Sequence, residues 1–277
     1  KLFSSLFGMN YIAAMLISAV VIVGYTATGG FLAASTTDFI QSIIMTIAIF
    51  SILIFATITA GGPAVVMGHA GDLAGYLSFT ATHVPETGGS QPYNLLRIIT
   101  TVSWGLGYFG MPHILLRFMA INDEKNLTLS RRVASVWVVI AMAVAVGIGI
   151  SGRVLSDTGV IEALKNADSE TVIIRVADLL SKLGILPALL AGLVLAGILA
   201  STMSTADSQL LAASSSVSQN LLQETFHLKL SAKQSMFAAR MTLVVISVLS
   251  AFIARDPESS IFGIVSFAWA GFGAGFG

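Results

Sequence analysis

Apolar stretches long enough to cross a lipid bilayer recur along this chain, and they limit its possible folds more than any motif does. The hydrocarbon core of a bilayer is about 30 Å thick, which a helix of about 20 apolar residues spans. Because every backbone polar group in that core must be bonded within the segment, helices are the expected structure. The predicted spans are residues 11–31, 38–58, 95–118, 133–150, 185–212, 236–253 and 260–277. The predicted fold class is therefore all-α, a polytopic membrane helical bundle forming a single transmembrane domain.

The composition excludes several classes of protein. Hydrophobic residues make up 55% of the chain and charged residues 10%, which does not suit a soluble domain of 277 residues. The formal net charge is zero, so no overall basic surface favours binding to nucleic acid. The chain has no cysteine, which removes disulfides, zinc clusters and thiol catalysis. The motifs H-E-x-x-H and G-x-S-x-G are missing from the sequence, so an intramembrane enzyme is a minor alternative.

Charged residues in the connections give the spans a direction. The connection from about residue 61 to 93 contains no Lys or Arg, whereas four basic residues cluster around the end of the third span. These are Arg117, Lys125, Arg131 and Arg132. Because cytoplasmic connections carry an excess of Lys and Arg, this end is predicted to be cytoplasmic and the N-terminus external. The chain does not begin with Met and stops within an apolar run, so we expect a fragment of a longer protein.

One stretch at membrane depth is unusually polar, namely residues 196–226, AGILASTMSTADSQLLAASSSVSQNLLQETF. At about 100° per residue, one helix face collects a row of hydroxyls and Asp207 lies close beside it. The row comprises Ser201, Ser204, Thr205, Ser208 and Ser215. A carboxylate at this depth costs roughly 2.5–3.5 kcal/mol on insertion scales and by default faces a bundle interior or a water-filled path. These hard oxygens suit a small cation such as Na⁺; the alternative is close helix packing through small residues.

Glycines and a proline are expected to interrupt the third span, in residues 103–113, SWGLGYFGMPH. Gly105, Gly107 and Gly110 satisfy the pattern G-x-G-x-x-G, but no strand precedes them, so the sequence does not predict a dinucleotide site. Pro112 cannot donate a hydrogen bond to the preceding turn of a helix. Irregular backbone is tolerated at membrane depth where it lines a cavity.

Aromatic residues beside this interruption are candidates for solute binding. Trp104, Tyr108 and Phe109 are suited to form an apolar wall with a hydrogen-bonding edge, although ordinary packing or an interfacial aromatic belt explains them equally well. Asp38 opens the second predicted span near its cytoplasmic end. It is either a helix cap or part of an ion exit.

Three stretches of this chain resemble the sodium:solute symporter family. They are ILASTMSTADSQLL at 198–211, residues 103–117, and TATGGFLAASTTD at 26–38. Within the family the resemblance is to the sodium/proline symporters, and it covers essentially the whole chain. It implies a leucine-transporter-like fold of two inverted five-helix repeats, in which this chain holds the fifth to eleventh of about thirteen helices.

The resemblance also implies roles for individual residues. The implied Na⁺ ligands are the backbone carbonyl of Ser201 and the hydroxyls of Ser204 and Thr205. The implied positions for proline binding and gating are Trp104, Tyr108 and Pro112. Asp38 matches an acidic position associated with sodium passage, and together with Asp207 it is assigned to the ion pathway or to coupling.

The predicted function is secondary active symport, in which inward movement of Na⁺ drives uptake of a small organic solute. The resemblance favours L-proline as the solute, and another amino acid or a small carboxylate is the alternative. An ion channel would need a continuous polar pore, which a single midspan cluster does not indicate. The expected partners are the solute, Na⁺ and the lipid bilayer, the expected location is the plasma (inner) membrane, and no enzymatic activity is expected.

Overall fold

The chain is almost entirely helical in the computed structural model, which describes residues 2–164, 166–256 and 261–276. The α-helices are α1 Leu2–Phe7, α2 Tyr11–Thr59, α3 Pro63–Asp72, α4 Leu95–Val102, α5 Pro112–Met119, α6 Asn126–Asp157, α7 Val172–Ser181, α8 Ile185–Ser215, α9 Ala232–Ile253 and α10 Ile261–Phe276. Further helical turns are 3₁₀ at Ser103–Gly110 and Asn166–Thr171 and π at Ser216–Thr225. The strands β1 Ala81–Val84 and β2 Gly89–Pro92 form an antiparallel hairpin in which Ala81 pairs with Pro92.

Four helices among the described residues are long and apolar enough to cross a membrane. They are α2, α6, α9 and the continuous stretch formed by α8 and the π-helix, Ile185–Thr225. This confirms the predicted all-α membrane class. The number and limits of the seven predicted spans stay a prediction, and the last one, 260–277, begins and ends outside the described residues.

Helix α2 is two helices joined at a break. Its 49 residues would extend about 70 Å at 1.5 Å per residue, more than twice the thickness of a bilayer core. Gly30 has φ 63° and ψ −164°, a non-helical conformation that residues with a Cβ rarely adopt. The break frees carbonyl groups in the turn before it, and Arg240 Nε donates to one of them, the Ala27 oxygen, at 3.0 Å.

The helix predicted to be interrupted in the third span is interrupted. Helix α4 passes into the 3₁₀ turns of Ser103–Gly110, and Met111 is extended, with φ −81° and ψ 105°. Pro112 then begins α5, where its missing N–H leaves no intrahelical bond unmade. The glycines and Pro112 therefore interrupt the helix, as the sequence predicted.

The described residues form two compact units, which are treated separately below. The first unit contains residues within 1–46, 112–129 and 195–259. It includes α5, α9, α2 up to residue 46, here called the first part of α2, and α8 from residue 195, here called its second part. Its buried side chains include Ala34, Ala200, Ala212 and Leu243. Tyr11 Oη donates to the Ala254 carbonyl at 2.9 Å, which joins the start of α2 to the end of α9.

The second unit contains residues within 47–111, 130–194 and 260–277. Its apolar core lies between the second part of α2, α6 and α7, where the buried side chains include Ile52, Ala56, Val154, Leu155, Val176 and Ala177. Gly152 lets α6 approach α7 closely, since a Cβ there would lie 2.2 Å from Val172 Cγ2. An ion-pair cluster joins α3 to α6, in which Asp157 Oδ2 accepts from Arg153 Nε at 2.6 Å and lies 3.1 Å from His69 Nε2.

Candidate functional site

The three oxygens proposed as sodium ligands lie together on one turn of α8. Thr205 Oγ1 donates to the Ser201 carbonyl at 3.0 Å, and Ser204 Oγ donates to the same carbonyl at 3.2 Å. Such bonds to the preceding turn are the usual way in which Ser and Thr satisfy themselves within a helix. These bonds use the hydroxyl protons, so lone pairs on the Ser204 and Thr205 oxygens stay available to a cation, while the Ser201 carbonyl accepts both bonds. One turn of α8 therefore presents a compact, neutral set of hard oxygen ligands.

Asp207 faces a different side of α8 from these ligands. Its side chain has no exposed surface, and its Oδ2 accepts a hydrogen bond of 3.1 Å from Tyr25 Oη on the first part of α2. Tyr25 Oη also lies 3.3 Å from the Met203 carbonyl. Ser208 Oγ lies 3.3 Å from the other carboxylate oxygen, Asp207 Oδ1. The carboxylate is thus turned into the interior of the first unit, where its hydrogen-bond partners come from α2 and α8.

Arg117 joins the second acidic residue, Asp38, to the same network. The Arg117 guanidinium donates to Asp38 Oδ2, and it donates to Ser208 Oγ at 2.6 Å. Ser208 Oγ lies 3.4 Å from Asp38 Oδ2. A continuous line of polar contacts therefore runs from Tyr25 on α2 to Arg117 on α5. We call this line, Tyr25–Asp207–Ser208–Arg117–Asp38, the acidic network.

The position of Asp38 excludes one of the two roles considered for it. It lies inside α2, because the helix resumes directly after Gly30, so the interpretation of Asp38 as a helix cap is wrong. Its side chain is 10% exposed, whereas that of Arg117 is 44% exposed. Within the part of the chain that the structure describes, Asp38 Oδ1 is buried and has no hydrogen-bond partner. Buried polar atoms are nearly always bonded, so this free oxygen needs an explanation.

The charges of the acidic network do not balance when both carboxylates are ionised. Asp38 and Asp207 then carry two negative charges, and Arg117 supplies one positive charge, since its guanidinium does not lose its proton in proteins. An ionised carboxylate in a membrane span is costly unless it is paired or meets water. The network is therefore suited to attract one more cation. From the sequence, Arg117 indicated only the orientation of the chain, and its contacts with Asp38 and Ser208 were not predicted.

The aromatic side chains proposed for solute binding form a cluster in the second unit. Trp104 and Tyr108 both lie on the 3₁₀ turns, and each contacts Trp269 of α10, with ring centroids 4.9 Å and 4.4 Å apart. Trp104 also stacks on Phe262 at 5.1 Å, with an angle of 20° between the rings. Tyr108 stays 50% exposed. Pro112, the third proposed residue, begins α5 and is described with the first unit.

Phe262 and Trp269 are members of this cluster that the sequence analysis missed. They lie far along the chain from Trp104, so no local pattern connects them to it. Their spacing of seven residues, which places both on one face of a helix, is the only available signal, and it does not say what that face meets.

Oxygen clusters on long apolar helices, together with an interrupted aromatic segment between α4 and α5, indicate a membrane transporter, and comparison with known proteins agrees. The family described as "Sodium:solute symporter family" matches residues 1–277. The chain belongs to this family and is a multi-pass membrane protein. Its resemblance to the family is thereby confirmed.

Several curated relatives are similar over all of this chain. It is 34% identical to "Sodium/proline symporter" of Escherichia coli (strain K12), covering 100% of this chain and 53% of that protein. It is 35% identical to "High-affinity proline transporter PutP" of Bacillus subtilis, covering 55% of that protein. It is 36% identical to "Osmoregulated proline transporter OpuE" of the same organism, covering 53% of that protein. The chain thus spans about half the length of these relatives, and all three are transporters, not enzymes.

Proposed function

We propose that this protein couples inward movement of Na⁺ to uptake of L-proline across the plasma membrane. The observation that carries the proposal is the group of three oxygens on α8, the Ser201 carbonyl with the hydroxyls of Ser204 and Thr205. The family and the names of the relatives support Na⁺ as the coupling ion and proline as the solute.

Na⁺ is the ion substrate in this proposal, and the oxygens on α8 bind it. Their neutrality has a consequence for coupling. Because this set of ligands carries no net charge, it attracts Na⁺ less strongly than a carboxylate would, and solute binding is proposed to supply an additional contribution. The acidic network offers Na⁺ a second attractive region, through Asp38 Oδ1, which has no partner among the described residues, and the buried Asp207. Asp38 and Asp207 are therefore proposed as pathway residues.

The solute is proposed to bind against Trp104, Tyr108 and Pro112. Proline is compact and carries an apolar ring, which suits an aromatic wall, and the exposed Tyr108 offers a phenolic hydroxyl for a polar group of the solute. The 3₁₀ turns supply the irregular backbone that membrane transporters use to line a binding cavity.

Coupling follows from linkage between the two sites. If bound Na⁺ favours the conformation that accepts solute, then bound solute must tighten Na⁺ binding by the same factor. Alternating access is proposed to arise from movement of one helical bundle against another around these sites, as in other transporters built from repeats.

The test is uptake of radiolabelled proline by the full-length protein in proteoliposomes, under an inward Na⁺ gradient and under an equivalent K⁺ gradient. Thr205→Ala removes one proposed ligand. Thr202→Ala is the matched control, because Thr202 lies on the same helix and makes the same kind of bond, to the Ile198 carbonyl at 3.1 Å.

We expect proline accumulation with Na⁺ and not with K⁺. We also expect Thr205→Ala to raise the Na⁺ concentration for half-maximal uptake by about tenfold or more, the effect of losing about 1.4 kcal/mol of binding, while Thr202→Ala leaves it unchanged. Failure to accumulate proline in a folded protein would reject the substrate, and Na⁺-independent accumulation would reject the coupling. Equal effects of the two variants would reject the ligand assignment.

A further inference from the structure

Helix α10 contributes aromatic rings to the wall that the proposed function assigns to the 3₁₀ turns. Phe262 and Trp269 lie on one face of α10 and both contact the Trp104 indole, with ring centroids 5.1 Å and 4.9 Å away. Trp269 also meets Tyr108 at 4.4 Å, with an angle of 69° between the rings. One ring on α10 therefore contacts both aromatic residues proposed to face the solute.

The backbone of Trp269 also packs closely against the 3₁₀ turns, at Gly107. A Cβ built on Gly107 would lie 2.9 Å from the Trp269 carbonyl oxygen and 3.2 Å from Trp269 Cβ, so only glycine permits this approach. Across the same contact, a Cβ on Gly273 would lie 3.7 Å from the Gly107 nitrogen. Gly107 itself is buried. The 3₁₀ turns are therefore seated directly on α10, with Gly107 against the backbone of Trp269.

Short 3₁₀ segments need such support. Their hydrogen bonds have poorer geometry than those of an α-helix, and long runs of them are uncommon. The segment Ser103–Gly110 also contains three glycines, whose backbones have more freedom than those of other residues. The orientation of Trp104 and Tyr108 is consequently determined less by their own backbone than by the rings that pack against them.

We propose that Trp269 is a positioning residue for the solute, which orients Trp104 and Tyr108 so that their free faces form the binding wall. This inference rests on the proposed function, and it adds a residue of α10 to the solute site. In the absence of the Trp269 ring, Trp104 and Tyr108 populate more rotamers, and solute binding must select among them. The free energy spent on selecting the correct rotamers weakens the bound state and the transport transition state equally, so the variant has a higher KM and an unchanged kcat.

The experiment uses the full-length protein in proteoliposomes with the variants Trp269→Ala, Trp269→Phe and Trp269→Leu. Phe267→Ala is the matched control, because Phe267 is an aromatic residue of the same helix that is 85% exposed. KM and kcat for radiolabelled proline are measured at saturating Na⁺. The Na⁺ concentration for half-maximal uptake is measured at a proline concentration saturating for each variant, so that linkage does not transfer the solute defect to Na⁺.

We expect Trp269→Ala to raise KM for proline by about tenfold, the effect of losing two aromatic contacts, with kcat and the Na⁺ requirement within about twofold of wild type. Trp269→Phe keeps a ring and should recover most of the affinity, whereas Trp269→Leu keeps apolar volume without a ring and should behave like alanine. Trp269→Leu carries the test if Trp269→Ala yields no folded protein. Phe267→Ala should leave KM unchanged.

Three results would overturn the inference. They are a wild-type KM in Trp269→Ala and Trp269→Leu, a fall in kcat with KM unchanged, and an equal rise of KM in Phe267→Ala. Failure of the proposed function appears separately, in the wild-type protein. If wild type does not accumulate proline, then alanine, glutamate and lactate are supplied under the same gradient and KM is measured for the solute that accumulates. If none accumulates, the proposed function and this inference both fall.

Discussion

The Arg117 guanidinium is paired with the Asp38 carboxylate, and this single ion pair joins α5 to the first part of α2. Asp38 is almost buried, with 10% of its side chain exposed, and its second oxygen is unbonded within the described residues. Loss of Arg117 would therefore leave a nearly buried carboxylate without its charge partner. Breaking one side of a pair of this kind is much more costly than removing both sides together.

A double-mutant cycle on Asp38→Asn and Arg117→Gln measures this coupling. We expect Arg117→Gln alone to lower the free energy of unfolding by more than about 1 kcal/mol. The double variant should recover part of that loss, with a coupling free energy of about 1–3 kcal/mol. The measurement is denaturant unfolding in a mild detergent. Asp178→Asn is the control, because Asp178 pairs with Lys182 at an exposed position, where the two side chains are 49% and 67% exposed. Strict additivity would show that the pair does not support the fold.

Tyr25→Phe tests the hydrogen bond to Asp207. The phenol donates to a fully buried carboxylate, and a bond to a charged group contributes about 1.5–3 kcal/mol. Tyr11→Phe is the matched control in the same unit, since its hydroxyl donates to the neutral Ala254 carbonyl, a bond worth about 0.5–1.5 kcal/mol. We expect Tyr25→Phe to weaken both stability and apparent Na⁺ affinity, and Tyr11→Phe to affect stability alone. Na⁺ affinity that is unchanged in folded Tyr25→Phe would separate Asp207 from the ion pathway.

Gly107→Ala tests the close packing of the 3₁₀ turns on α10. The new methyl group would lie 2.9 Å from the Trp269 carbonyl oxygen, so the backbone must shift, and such overpacking costs about 1–3 kcal/mol. Gly105→Ala is the control on the same turns, because a Cβ there meets no atom of another described segment within 4 Å. Thermal unfolding in detergent should show a clear loss for Gly107→Ala and none for Gly105→Ala. Equal melting temperatures would contradict the closeness of this contact.

Tyr108→Ala tests the solute wall. Tyr108 is half exposed and touches Trp269, so its removal should raise KM for proline by about tenfold, the effect of losing one aromatic face and one hydrogen bond. Leu106→Ala is the control, because Leu106 is a similarly exposed residue of the same turns. Both are measured by uptake at saturating Na⁺ with protein abundance determined in parallel. Unchanged KM for Tyr108→Ala at normal abundance would remove Tyr108 from the solute site.

Local features of the sequence predicted local features of the structure. The hydroxyls of Ser204 and Thr205 lie beside the Ser201 carbonyl because a spacing of three or four residues on any α-helix brings them there. The interruption before Pro112 follows from the missing N–H of proline and the freedom of the neighbouring glycines. The role of Asp38 was not predictable in this way, because a carboxylate near a predicted helix start is equally compatible with a cap and with a tertiary ion pair.

The sequence by itself determined the class of this protein, because apolar stretches of bilayer length leave helices as the expected way to satisfy the backbone. It also determined which turn of α8 carries the clustered oxygens. Only the tertiary structure decided that Arg117 pairs with Asp38, that Tyr25 bonds to Asp207, and that Trp269 of α10 packs on Trp104 and Tyr108. The reason is physical: spacing along one helix is set by the repeat of the backbone, whereas contacts between distant segments depend on how side chains fit when helices pack.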